Sequence, residues 1–141
     1  MRIIAGTAKG RRLSTPKGKH IRPVLDQVKE SIFNILFNVE GLKVLDVFAG
    51  TGSVGLEAVS RGSESITFVD KDREALKLID ENIKSCHFEE QSKVVPFPAH
   101  KAIKILSVKG EKFDLISADP PYLKDLVNIS IRQIIEAELL E

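Results

Sequence analysis

The residues of this chain most able to do chemistry fall into four groups. Gly50-Thr51-Gly52-Ser53-Val54-Gly55 has the spacing G-x-G-x-x-G. Glycines in that pattern let a backbone turn sharply after a strand and leave the N–H groups of a helix N-terminus facing a ligand. Asp70 stands 20 residues beyond Gly50. A carboxylate there, at the end of the next strand, can accept hydrogen bonds from both hydroxyls of a ribose. Asp46 precedes Gly50 by four residues, and Asp119-Pro120-Pro121-Tyr122 is the fourth group. Its prolines fix the backbone and remove two N–H donors, which leaves a patch of acceptors. The Asp119 carboxylate and the Pro120 carbonyl can both accept from one exocyclic amine. Such an amine is conjugated with its ring and is a poor nucleophile. Holding both of its protons favours a pyramidal nitrogen whose lone pair points at an electrophile. Tyr122 can stack on the flat base, a contact worth about 1–3 kcal/mol, once that base has left its own stack.

The glycine turn alone does not choose the nucleotide. Dinucleotide oxidoreductases and S-adenosylmethionine (AdoMet) methyltransferases share the order strand, glycine turn, helix, strand, acid. Asp46 inside the first strand favours the methyltransferase, because a dinucleotide strand is usually apolar there. Asp119 to Tyr122 favours it more strongly, since the sulfonium of AdoMet presents the electrophile that a held amine needs. Alignment of the two would supply several kcal/mol, on the order seen for oriented reactants.

These groups need elements to position them, and the apolar pattern provides them. Lys43 to Phe48 is predicted as a buried strand, Gly50 to Gly55 as a turn, and 54–61 as a helix stopped by Gly62. Ile66 to Asp70 is a second strand. Asp72 to Ser85 is a helix with Leu76, Ile79 and Ile83 on one face. Lys93 to Phe97 is a third strand, 102–106 a short helix, and Phe113 to Ala118 a fourth strand with apolar residues on both faces. A last helix takes in Val127, Ile131, Ile134, Ile135 and Leu139. Before all these, residues 2–14 read as a basic hairpin and 15–24 as a loop. Residues 26–38 read as a helix capped by Asp26, ended by Gly41, with Val28, Ile32, Ile35, Leu36 and Val39 on its apolar face. Strands alternating with helices imply an α/β fold with a doubly wound, mostly parallel sheet. Asp119 then lies at a strand's carboxyl end, the face where such sheets bind ligands.

Composition sets the class and the partner. A chain of 141 residues, 43% hydrophobic and 29% charged, is one soluble globular domain. No apolar run approaches the roughly 20 residues of a membrane span. A single cysteine, Cys86, cannot form an internal disulfide, which points to a reducing cytoplasm. His20, His87 and His100 lack metal-ligand spacing, so no metal is expected. The net charge of +1 hides an asymmetry: residues 1–25 carry seven bases and no acid, so the remainder is −6. A basic arm on an acidic body implies a polyanionic partner. Residues 1–25 are therefore read as an RNA-contacting hairpin and loop, and 26–141 as the cofactor-binding domain.

Taken together, these stretches resemble the bacterial 16S ribosomal RNA guanine-N2 methyltransferases. The resemblance runs through Arg2 to Gly6, Gly10 to Leu13, Arg22-Pro23, Asp26, Val28 to Glu30, Phe33 to Leu36, Leu45 to Gly50, Phe68 to Asp72 and Asp119 to Tyr122. It implies a Rossmann-like methyltransferase fold, AdoMet as methyl donor, and 16S rRNA of the small subunit as substrate. It implies a catalytic set of Asp119, Pro120, Pro121 and Tyr122. Its cofactor set is Asp46, Phe48, Gly50, Thr51, Gly52, Gly55, Asp70 and Lys71, joined by Ala99 and His100. RNA contacts fall to Arg2, Lys9, Arg11, Arg12 and Arg22. The chain departs from the family twice. Where the family has an acid for the adenine amine, Pro96 to His100 offers none, and Ala99 or His100 stands in. Four strands are found where the fold has seven, so the chain is expected to be C-terminally shortened. A monomer is then expected, with an exposed strand edge open to pairing with a second copy. Adenine-N6 methylation and a non-catalytic RNA-binding assembly factor are the competing functions.

Overall fold

Apolar strands and amphipathic helices alternate along the chain, and each strand pairs in parallel with its neighbours. The strands are β1 (Lys43–Val47), β2 (Ser65–Val69), β3 (Ser92–Val95) and β4 (Leu115–Ala118). The helices are α1 (Asp26–Leu36), α2 (Ser53–Ser60), α3 (Arg73–Cys86) and α4 (Ala99–Val108). The computed structural model describes residues 1–17, 25–119 and 139–140. Arg22, Pro120, Pro121, Tyr122 and the helix expected around 127–135 lie outside the described residues. The sheet order is β3-β2-β1-β4, so the strand order reverses beside β1. Sheets of this kind bind ligands at such a reversal, outside the carboxyl ends of the strands.

Alternation along the strands divides the core. Val44, Ile66 and Phe68 face one side, where they pack with Leu56 and Val59 of α2, Ile79 and Ile83 of α3, and Phe33 of α1. Leu45, Val47, Val69 and Val95 face the other side and pack with Ala102, Ile103 and Leu106 of α4. Every residue of α2 except Val54 is buried, which follows from its place under the N-terminal segment.

That segment forms the expected hairpin. Ile3 N–H donates to Arg11 O and Gly10 N–H to Ile3 O, both at 2.9 Å. Arg2 and Arg12 pair antiparallel. Ile3 and Leu13 are buried in the same core as β1 and α2, so the hairpin is packed into the body and its charges point outward. Beyond it the chain runs along α3, where Lys17 N–H donates to Glu74 at 2.9 Å.

Two helical expectations need correction. Asp26 does not cap α1; Leu25 is the N-cap, and no side chain caps it. Asp26 instead sits in the first turn and faces Arg2, whose N–H and Nε lie 3.4 and 3.8 Å from its carboxylate. The apolar face read for α1 is buried only in part: Ile32 packs against the core and Val39, beyond the helix, is buried. Lys29 and Phe33 are its buried residues, while Val28 and Ile35 are exposed. The reason is that the Lys29 ammonium finds buried partners, described below, and the Arg61 guanidinium covers the Phe33 ring at 4.7 Å. The helix ends at Leu36, before Gly41. Leu139, expected in the last helix, is not helical. It is fully buried, its carbonyl accepts from Phe113 N–H at 2.7 Å, and Leu140 bridges Phe113 in parallel. The chain is therefore paired at Phe113, two residues before β4 begins.

Candidate functional site

The strand register builds a single row of functional groups. Val47 of β1 is level with Val69 of β2 and with Ala118 of β4. The next residues, Phe48, Asp70 and Asp119, therefore leave the sheet together at its carboxyl edge. Phe48 has a positive φ of 62°, an uncommon conformation for a residue with a side chain and one that clusters at functional sites. From there the glycine turn runs into α2, with Gly50 and Gly52 at φ 61° and 80°. Gly55 is fixed for another reason. A Cβ there would meet Phe68 Cε1 at 2.4 Å and Ile66 Cδ1 at 2.8 Å, so only glycine lets α2 lie this close to β2.

Asp70 does more than the ribose role read for it. One oxygen accepts from Gly50 N–H at 2.9 Å and the other from Asp72 N–H at 3.0 Å. It thus pins the first glycine of the turn to the end of β2. Each oxygen keeps a second lone-pair site for a ligand hydroxyl. Asp72 caps α3 by accepting from Ala75 N–H at 2.9 Å.

Asp46 is the most perturbed group of the site. Burial pushes its carboxyl up to about 7, and the nearby charges of Asp70 and Asp119 add to the rise. The Gly55 backbone N–H works in the opposite direction. A carboxylate crowded by two others is short of a cation. AdoMet brings two positive groups, the sulfonium and the ammonium of its amino-acid end, so this donor set fits it. Asp46, Phe48 and the Gly50–Gly55 turn would hold its amino-acid end, and Asp70 its ribose. Lys71 and His100 are exposed, and Ala99 is half-buried as the first residue of α4. Phe97, at the same corner, lies under the Lys101 ammonium at 4.6 Å. Asp119 is exposed directly after β4. Among the described residues, no three His, Cys, Asp or Glu side chains are placed to share a metal ion.

The basic residues gather elsewhere. Arg2, Lys9, Arg11 and Arg12 are all exposed on the hairpin. Residues 7–12 and Ser85 line an open groove of about 560 Å³. Cys86, beside it, is buried, and burial raises its thiol above the ordinary value.

Three buried polar residues near the turn were not singled out by sequence reasoning. Lys29 is fully buried, and its Nζ donates to Arg2 O at 2.6 Å and Ser53 Oγ at 2.8 Å. Its ion-pair partner is Glu57 Oε1 at 3.3 Å. Glu57, also fully buried, accepts from Ile4 N–H, Ala5 N–H and Arg61 Nε. Asn82 of α3 donates to Thr51 O at 2.9 Å and accepts from Ser14 N–H at 2.6 Å. The available signal was a polar residue inside an apolar helical stripe: Asn82 with Ile79, Ile83 and Cys86, and Lys29 four residues before Phe33.

Known proteins give the site its context. The model of the family described as conserved hypothetical protein 95 matches residues 1–141. A Bacillus subtilis protein named "Putative rRNA methyltransferase YlbH" is 37% identical over 142 residues, covering 100% of this chain and 77% of its own length. Ribosomal RNA small subunit methyltransferase D of Escherichia coli K12 is 33% identical over 132 residues, covering 93% of this chain. This chain spans 65% of the length of that protein. The solved structure of a hypothetical protein from Thermus thermophilus superposes with a TM-score of 0.85 at 31% identity, over 100% of this chain and 80% of that one. The chain therefore belongs to the conserved hypothetical protein 95 family, and it shares its fold with a solved Escherichia coli protein named "Putative methyltransferase yhhF", at a TM-score of 0.86 and 32% identity over 100% of this chain and 75% of that one.

Proposed function

We propose that this chain transfers a methyl group from AdoMet to the exocyclic N2 amine of a guanine in 16S rRNA of the small ribosomal subunit. The observation that carries the reading is the shared edge. Asp119 leaves β4 level with Asp70, next to the buried Asp46. An amine held at Asp119 would thus lie beside the acidic pocket that suits a sulfonium. When bound, AdoMet supplies a methyl group on a positively charged sulfur. Asp119 accepts from the guanine amine and aims its lone pair. Asp46 and Asp70 balance the positive charge that AdoMet brings, and the released N2 proton passes to solvent. Lys9, Arg11 and Arg12 give phosphate contacts, which position the RNA without reading its sequence. The names of the relatives favour rRNA over DNA. The resemblance through Arg2–Gly6, Gly10–Leu13 and Arg22-Pro23 favours guanine N2 over adenine N6. We place the protein in the cytoplasm, with its substrate subunit, and acting as a monomer.

Incubation of the protein with methyl-labelled AdoMet and unmethylated small subunits tests this directly. The expected product of nucleoside digestion is labelled N2-methylguanosine. Labelled N6-methyladenosine would replace the guanine reading with the adenine one. Absence of label, with S-adenosylhomocysteine (SAH) and RNA both bound, would leave a non-catalytic RNA-binding protein.

The Asp46 carboxyl gives this reading a pH signature. Its folded value of about 7 lies above the unfolded 3.8. The free protein therefore holds a proton that the unfolded chain has lost, so this group's contribution to stability falls as pH rises from about 4 to 7. A cation bound beside Asp46 expels that proton, so AdoMet affinity rises with pH through the same range. Affinity should increase several-fold between pH 6 and 8, and Asp46→Asn should flatten the profile. Calorimetric titration across that range checks it; an equally steep profile in the variant would remove Asp46 from the cofactor pocket.

A further inference from the structure

The glycine turn and the basic hairpin are joined by two buried side chains. Asn82 donates to the Thr51 carbonyl in the turn at 2.9 Å. It also exchanges hydrogen bonds with Ser14, accepting from its N–H at 2.6 Å and donating to its carbonyl at 3.3 Å. Lys29 donates to Ser53, the first residue of α2, at 2.8 Å and to the Arg2 carbonyl at 2.6 Å. Both side chains are fully buried. Arg2 lies on the first strand of the hairpin, and Ser14 follows the second at Leu13. Each end of the hairpin is therefore held by a side chain that also holds the turn. Met1 adds a third contact, with its Sδ 3.7 Å from Thr51 Oγ1.

These links are buried and shared. Neither Asn82 nor Lys29 can move to suit a ligand at the turn without releasing a hairpin partner, and an orphaned buried partner is costly. We propose that Asn82 and Lys29 are positioning residues that tie the glycine turn to both strands of the basic hairpin, so that cofactor at the turn and RNA on the hairpin reinforce each other's binding. This rests on the function proposed above and adds its regulation: RNA arrives to a turn already set, and cofactor stiffens the arm that meets RNA. Linkage requires the effect to be reciprocal.

Hydrogen exchange on the whole chain, with and without saturating SAH, reads the tie directly. The reporters are the hairpin amides of Ile3, Gly10 and Leu13, which bond to Arg11, Ile3 and Met1 carbonyls. In the wild type, SAH should slow their exchange about fivefold or more, within the usual range of coupling between sites. In Asn82→Ala, saturating SAH should still slow β1 and β2 amides while the hairpin amides no longer respond. Lys29→Met combined with Glu57→Leu removes the other link without leaving a buried charge unpaired; it should give the same loss and serves if Asn82→Ala does not fold. A second arm measures SAH affinity with and without unmethylated small subunits. The RNA-dependent tightening should fall to near onefold in either variant. Hairpin amides that slow equally in wild type and variants, or that ignore bound SAH in the wild type, would overturn the proposal. Failure of the wild type to bind SAH at all would instead count against the function proposed above.

Discussion

Asp119→Ala should abolish methyl transfer, with kcat falling by at least about 100-fold, the usual cost of removing one positioned polar group from a reacting centre. SAH affinity should stay within about twofold, because the lost interaction is made only with the reacting base. The split follows from the geometry. Asp119 is exposed and stands past the last residue of β4, so its truncation removes no core packing and should change stability by no more than about 0.5 kcal/mol. Asp119→Asn is the informative companion. It keeps one acceptor oxygen but lacks the charge, so it should retain more activity than alanine. Both variants also relieve Asp46 of one of its two nearby negative charges. The pH at which AdoMet affinity rises should accordingly move lower. Single-turnover kinetics and calorimetry separate the two effects. Wild-type turnover in Asp119→Ala would end the case for a base held at this strand end, and a large loss of SAH affinity would reassign Asp119 to the cofactor.

How much of the molecule is legible in its sequence depends on whether the signal is local. The turn is legible because G-x-G-x-x-G is a local constraint: Gly50 and Gly52 need positive φ, and Gly55 needs the absence of a Cβ against Phe68. The strands are legible because each is short, apolar and flanked by turn residues, and all four lie within two residues of the predicted bounds. The buried face of α1 is not, because burial of Lys29 is decided by groups far away in sequence, the carbonyl of Arg2 and the carboxylate of Glu57. A lysine counts as surface until its partners are known. The spacing of Asp70 marks it as a ligand group. The task it performs in the structure, pinning Gly50, needs the register of β1 against β2. The strain at Phe48 leaves no mark in the sequence at all. Leu139 has helical spacing from Ile135, yet it is not helical and is buried with Leu106, Phe113 and the strand residues.

Breaking the buried pair beneath α2 should cost more stability than any other single change considered. Glu57→Ala removes one carboxylate that four groups share, Lys29 Nζ, Arg61 Nε and the N–H groups of Ile4 and Ala5, and leaves the two backbone N–H groups without an acceptor. Lys29 is left charged without its counter-ion in a site with no water access, and burial already holds its ammonium below the ordinary lysine value. Removing one partner of such a pair costs about 3–5 kcal/mol, a large part of the roughly 5–15 kcal/mol by which a domain is stable. Thermal unfolding should therefore begin about 10 °C lower or more. Glu57→Gln should fall between the two, since an amide still accepts from one of the backbone donors. The double variant Lys29→Met, Glu57→Leu separates charge from hydrogen bonding. An apolar replacement of both charges is often near neutral, so the double variant should recover the part of the loss that comes from the unpaired charge, while the N–H groups of Ile4 and Ala5, both left without an acceptor, keep a cost of about 1–3 kcal/mol each. If Glu57→Ala melts within about 2 °C of the wild type, less than the shift expected for 1 kcal/mol, the pair contributes little and the hairpin is held by its apolar anchors Ile3 and Leu13 with the hydrogen bonds to Asn82 and Ser60. If the double variant is stable but its hairpin amides no longer respond to SAH, then the charges serve the link between turn and hairpin rather than the fold. An apolar core of the same shape would then have been sufficient for folding, and insufficient for carrying the state of the cofactor turn to the surface that meets RNA.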